Sequence, residues 1–364
     1  MKCLSHVPLL YALGYTRRMH LIIPYLFPST EFLQAASQDL RLPALETLVA
    51  RGRMQIDTPL GIEGALCRAW GIEKQIDWPW AAMSLLADNG APDRSYWLRA
   101  DPVHIRIQRD KLILFGSELL NVSADEAVTL CNDLNAHFGD ELHLRPLQPD
   151  RWYWSIDHEP DIETTTLSLA TGWHIDPLLP KGGAEMKWRA LLNEMQMLLF
   201  SHPINQEREA RGLPTINSIW LWGGGRASQS AFFGSPFYCA DEHFLSVANH
   251  LGIHTHAWSG SMEEIETNGL VLAKQLETKG QYGDVLGWRE TMKRMETEWF
   301  SRLIKKRAAL KIEDPISGSV LDYAASDRWK IWRRAKPFAL QNEVNPDIPL
   351  PLTSNVDEFG NFLG

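Results

Sequence analysis

Arginine and glycine dominate the stretch with the clearest chemical potential, "SHPINQEREARGLPTINSIWLWGGGR" over residues 201–226. Arg208 and Arg211 stand three apart in a predicted helix, so they point broadly the same way. Asn217 follows, and an apolar run then breaks into Gly223, Gly224, Gly225 and Arg226. Guanidinium forks match carboxylate and phosphate oxygens, and successive glycine N–H groups form anion-binding concavities. These seven residues are therefore the expected ligand-binding set for a small phosphorylated or carboxylated metabolite. The glycine run is neither a Walker loop nor a dinucleotide fingerprint, and a tight turn with solvated arginines is the plainer alternative.

Two further groups could carry chemistry. His250, His254 and His256 cluster, and in an extended "IHTHAW" the last two share a strand face, as a metal pair would. No Asp, Glu or Cys lies close enough in sequence to complete a set, so surface histidines are the reading and no metal is expected. The stretch "DRWKIWRRAKPF" brings together Trp329, Trp332, Arg333 and Arg334. Tryptophan and arginine concentrate at protein interfaces, so these four residues are the expected partner-binding set. The same mixture suits single-stranded nucleic acid, but the net charge of −9 argues against nucleic acid as the general partner.

The elements that must position these groups are those of an ordinary globular chain. Hydrophobic residues make up 45% and charged residues 22% of 364, enough for one large domain or a core with an inserted smaller one. The 15 tryptophans read first as packing. Cys3, Cys67, Cys131 and Cys239 lie far apart, which predicts reduced thiols and a cytoplasmic location. No apolar run approaches the ~20 residues of a membrane span. Residues 1–18 read as an N-terminal extension, with Met19 an alternative start, and "MHLIIPYLF" as the first core strand.

Strands and helices alternate on either side of a block of short β-runs. In that block, "SADEAVTLCNDLNAHFG" predicts a helix with Ser123 and Glu126 as a capping box. The expected fold is α/β: a mostly parallel sheet with helices on both faces and a small inserted α+β domain. The expected boundaries are a core over 19–94 and 176–340, an insert over 95–175 and an irregular tail over 341–364.

With this layout, "HPINQEREARGLPTINSIWLWGGGR" resembles the signature stretch of archaeal-type cofactor-independent phosphoglycerate mutases, of the alkaline phosphatase superfamily. "RLPALETLVARG", "SYWLRADPVHI", "DIETTTLSLATGWHIDPLLPKG" and "HFLSVANHLGIHTHAWSG" are similar to further family segments in the same order. The likeness is nearest to bacterial RpfE-type regulatory proteins. The resemblance implies an alkaline-phosphatase-like core and a reaction that needs a hydroxyl nucleophile and two divalent metals. Residue by residue, this chain departs from that pattern. Pro24 and Tyr25 stand where the first Asp ligand belongs, and Glu63, Gly64 and Ala65 where the nucleophilic Ser belongs. "LETKGQYGDVLGW" offers Asp284 without histidine, and Trp222 replaces the family's arginine. The expectation is a catalytically degenerate, regulatory or metabolite-binding protein with no catalytic residue, no cofactor and no metal. An active metal-dependent mutase or phosphatase and a pure interaction module are the alternatives.

Overall fold

Short apolar runs, buried on both faces, build the centre of the molecule. The computed structural model describes residues 18–91, 95–108, 110–227, 235–306 and 308–338. The tail expected over 341–364 lies outside them, as does the extension over 1–18 except for Arg18, which opens the first strand. The strands are β1 (Arg18–Ile22), β2 (Arg53–Ile56), β3 (Tyr96–Gln108), β4 (Lys111–Phe115), β5 (Leu144–Gln148), β6 (Arg151–Ile156), β7 (Ser218–Gly225), β8 (Phe237–Cys239), β9 (Thr255–Ala257), β10 (Leu270–Leu272), β11 (Ala309–Glu313) and β12 (Ser319–Tyr323).

The larger sheet runs β2-β12-β11-β1-β10-β8-β9. Its five strands from β11 to β9 pair in parallel, while β12 and β2 close one side by antiparallel pairing. Helices α1 (Thr30–Ala36), α2 (Pro43–Arg51), α3 (Gly61–Ala69) and α4 (Trp80–Ala87) precede the second sheet, and α5 (Ala124–Phe138) lies within it. The predicted capping box of α5 is present: Ser123 Oγ accepts from the Glu126 N–H, and Glu126 accepts from the Ser123 N–H. The remaining helices are α6 (Leu167–Ala170), α7 (Glu185–Phe200), α8 (Pro203–Ala210), α9 (Glu242–His250), α10 (Glu277–Gln281), α11 (Val285–Met295) and α12 (Ser301–Lys306). The α/β architecture is thus as expected, a mostly parallel central sheet with a separate antiparallel one.

The second sheet departs from the expected boundaries. It runs β4-β3-β6-β5, and β7 pairs antiparallel with β3. β7 was expected to join the parallel core; it is buried along its whole length but belongs to the other sheet. A run apolar on both faces specifies burial, not direction or partner. α4 packs against β7, and so does α7. The smaller unit therefore draws in residues well past 175.

One apolar cluster joins the two sheets. Trp70 stacks on Trp80 at 6.0 Å and meets Phe237 of β8 edge-on at 5.4 Å. Trp220 and Trp222 of β7 and Ile22 of β1 belong to the same cluster.

Candidate functional site

Arg208 is the first sequence-predicted ligand residue to be corrected. Its side chain is fully buried, and every arm of the guanidinium is committed inside the protein. Nε donates to the Pro214 carbonyl at 2.8 Å, Nη1 to the Glu126 carboxylate at 2.9 and 3.0 Å, and Nη2 to the Leu120 carbonyl. It ties α8 to the start of α5, and all three of its nitrogens are engaged within the protein. Arg211 caps the end of α8 and is exposed, so the two arginines do not converge.

Asn217 is likewise occupied. Its amide pairs with both backbone groups of Ile105, at 2.7 and 2.8 Å, extending the ladder between β7 and β3. Gly223, Gly224 and Gly225 form the end of β7 rather than a loop. A Cβ on Gly224 would stand 2.4 Å from the Tyr96 hydroxyl, and one on Gly225 2.4 Å from Pro79 Cβ. These glycines admit neighbouring side chains, and the Gly224 N–H points at the Asp77 carboxylate (3.4 Å), not at an anion from solution. Arg226 is half-buried, its backbone N–H held by Gln75 at 3.0 Å.

The Trp/Arg stretch is the opposite case. Trp329 is 67% exposed, and Ile331 and Trp332 are each 72% exposed. Arg328 lies over the Trp329 ring, Arg333 donates to the Gly52 carbonyl at 3.2 Å, and Arg334 is exposed. Among the predicted pairs, His254 and His256 do meet, ring centroids 4.5 Å apart, with His256 stacked on Tyr238.

Chemistry-bearing groups gather elsewhere, at the carboxyl ends of the parallel strands, where open α/β sheets present their ligands. Directly after β10, the Lys274 ammonium stands 3.0 Å from Asp241, which follows β8, and 3.3 Å from Glu277. It also lies over the Phe244 ring at 5.1 Å. Burial works against the ammonium, but Glu277 and Asp241 more than offset it and push its pKa above the ordinary lysine range. Burial is also the main influence on Glu277, raising its pKa from 4.5 to about 7; Lys274 opposes this, while Glu118 and Glu63 reinforce it. Asp241 is held below its ordinary value, since Lys274 and neighbouring donors outweigh burial.

Beside this cluster, α3 begins. Ser168, from α6, accepts the Ile62 N–H at 2.9 Å and donates to the buried Glu63 carboxylate. Burial raises the Glu63 pKa, with the Ser168 hydrogen bond opposing. The residues of α3 itself carry no hydroxyl, and Ser168 arrives from about a hundred residues away along the chain.

After β1, Tyr25 adopts a left-handed backbone (φ 59°), an uncommon choice for an aromatic residue. Its N–H and that of Phe27 donate to Asp314, at 3.1 and 2.8 Å, and its hydroxyl accepts from the Trp173 indole. Asp314 also accepts from Ile316 at 3.0 Å; burial raises its pKa to about 6 against these backbone donors. Glu313 is engaged by His20 at 3.0 Å, Lys311 at 2.7 Å and Arg68.

Two divalent metals, which the family resemblance implies, do not fit this donor set. Among the described residues no group of three or more His, Cys, Asp and Glu side chains can hold a metal ion. Each edge carboxylate already has a protein partner: Asp314 the backbone, Glu313 the Lys311 and Arg68 cations together with the His20 ring, Asp241 and Glu277 the lysine. Asp284, the carboxylate singled out in the sequence, caps α11 by accepting the Gly287 N–H at 2.8 Å. Lys274 and Glu277 were not singled out. The available signal was a lysine two residues past the end of an apolar strand with a glutamate three further on.

No family model matches the chain. A probable 2,3-bisphosphoglycerate-independent phosphoglycerate mutase of Geobacter sulfurreducens is 26% identical over 225 residues, covering 56% of this chain and 53% of that protein. The 2,3-bisphosphoglycerate-independent phosphoglycerate mutase of Methanosarcina acetivorans is 27% identical over 226 residues, 56% of this chain and 52% of that protein. The chain thus spans about half the length of the curated relatives it matches. A solved cofactor-independent phosphoglycerate mutase from Thermoplasma acidophilum aligns over 89% of this chain and 94% of its own, with 14% identity and a TM-score of 0.42.

Proposed function

We propose that this chain, a relative of the 2,3-bisphosphoglycerate-independent phosphoglycerate mutases, is a mutase-like protein that does not carry out metal-dependent phosphoryl transfer and acts by binding, in a regulatory role. The observation that carries this reading is the Lys274 clamp. At the carboxyl edge of the sheet, Asp241 and Glu277 are spent on a lysine, and Tyr25 rather than a carboxylate follows β1. Phosphoryl transfer relies on positioned cations that stabilise charge on the transferred group, and the carboxylates that would hold them are here paired with protein groups.

The anionic-metabolite version of this reading narrows. Arg208, Asn217 and the three glycines are occupied by the fold, which leaves the exposed Arg211 as the strongest member of the set expected from sequence.

The test is direct. Purified protein with Mn²⁺ and 3-phosphoglycerate is assayed for 2-phosphoglycerate through a coupled enolase reaction, and no turnover above the protein-free control is expected. Mn²⁺-dependent turnover that disappears in Ser168→Ala would overturn the proposal and make the Ser168–Glu63 pair the nucleophilic site.

A second observation supports a protein partner as what is bound. Trp329, Ile331 and Trp332 form an exposed apolar group flanked by basic side chains, on a chain whose net charge is −9. That combination suits a partner presenting apolar and acidic side chains together.

A further inference from the structure

We propose that the Lys274 ammonium is the resident cation of the sheet edge, seated among carboxylates that take up a divalent ion once the ammonium is removed. Three features converge on its Nζ. Asp241 from the end of β8 and Glu277 from the first turn of α10 approach it from different elements, at 3.0 and 3.3 Å. The Phe244 ring closes another side, at 5.1 Å. Glu63 and Glu118 add negative potential to Glu277 without contacting the lysine.

Charge balance gives the consequence. With the lysine, the two contacting carboxylates share one positive charge; without it, they lose that shared cation, and Asp241 keeps the His243 N–H at 3.0 Å. Such an arrangement either takes a proton or takes a cation. Carboxylate oxygens prefer hard ions such as Mn²⁺, and the remaining coordination positions fall to water. Water and ions have access, because about a third of the Lys274 and Asp241 side chains is exposed.

This inference deepens the reading of the edge as a site without metal chemistry, and rests on it. Its test uses Mn²⁺ alone as the probe, followed by isothermal titration and by the electron spin resonance signal of free Mn²⁺. Wild-type protein is expected to show no saturable uptake. Lys274→Met removes the charge while keeping an unbranched apolar side chain, and is expected to bind one Mn²⁺, half-saturating on the order of 0.1–1 mM. Adding Glu277→Gln to that variant is expected to abolish uptake.

Lys274→Met that is folded by circular dichroism yet takes up no Mn²⁺ overturns the proposal. So does saturable wild-type uptake that Glu277→Gln removes, since the carboxylates would then serve a metal with the lysine present. Should Lys274→Met not fold, Lys274→Gln carries the same two outcomes. Wild-type mutase turnover with Mn²⁺ defeats the functional reading; failure of the lysine variants to bind Mn²⁺ defeats only this one.

Discussion

At the scale of single residues, Glu277 shows how the edge is balanced. Burial raises its pKa from 4.5 to about 7, even with Lys274 beside it. Between those two values the folded chain retains a proton that the unfolded chain has released. Raising the pH through that window therefore favours unfolding. Glu277→Gln cannot titrate, so the stability of wild type relative to this variant is expected to fall as pH rises from about 4.5 to about 7. Urea midpoints at about pH 5 and about pH 7.5 measure it, and a difference that grows with pH would contradict the assignment. Asp314 has a raised pKa as well, but its partners are backbone N–H groups, so it secures the turn after β1 instead of a charge.

Elements show where a sequence can and cannot be read. The start of α5 was legible because a capping box is local: Ser123 and Glu126 need nothing beyond each other. The end of β7 was misread because its glycines answer to residues far off in the chain, Tyr96 and Pro79, which no window around residue 224 contains. Gly224→Ala puts a methyl group against the Tyr96 hydroxyl and Leu98 and is expected to cost about 1–3 kcal/mol by overpacking. Among the described residues the Tyr96 hydroxyl has no hydrogen-bond partner, so Tyr96→Phe should be mild alone and should recover part of that loss in the double variant. Denaturant melts of the four proteins check the cycle; simple additivity would mean that the contact is not the cause. Arg208 was misread for the same reason as the glycines. Helical spacing gave its direction but could not reveal that Glu126 and Leu120 wait there.

For the whole molecule, the parallel sheet was legible from its alternating elements, and the residues between them were not, because the edge cluster joins the ends of β8 and β10 to α3, α6 and α10. The excess of tryptophan was read as packing, which holds for most of the chain but fails at Trp329 and Trp332. Replacing both with serine is expected to leave stability within about 0.5 kcal/mol, since exposed side chains contribute little to the core. The same change should shorten retention on a hydrophobic-interaction column and release any partner that wild type retains in a pull-down. Unchanged retention on the column, or a partner held equally by both proteins, would remove this surface from consideration.

Trp70, Trp80 and Phe237 sit in a cluster that both sheets supply. Any attempt to shorten the gene to a minimal α/β unit by excising 95–225 would strip that aromatic floor of its cover. The trimmed product would precipitate instead of reporting on the residues that remain, so dissection of this protein has to proceed by point substitution.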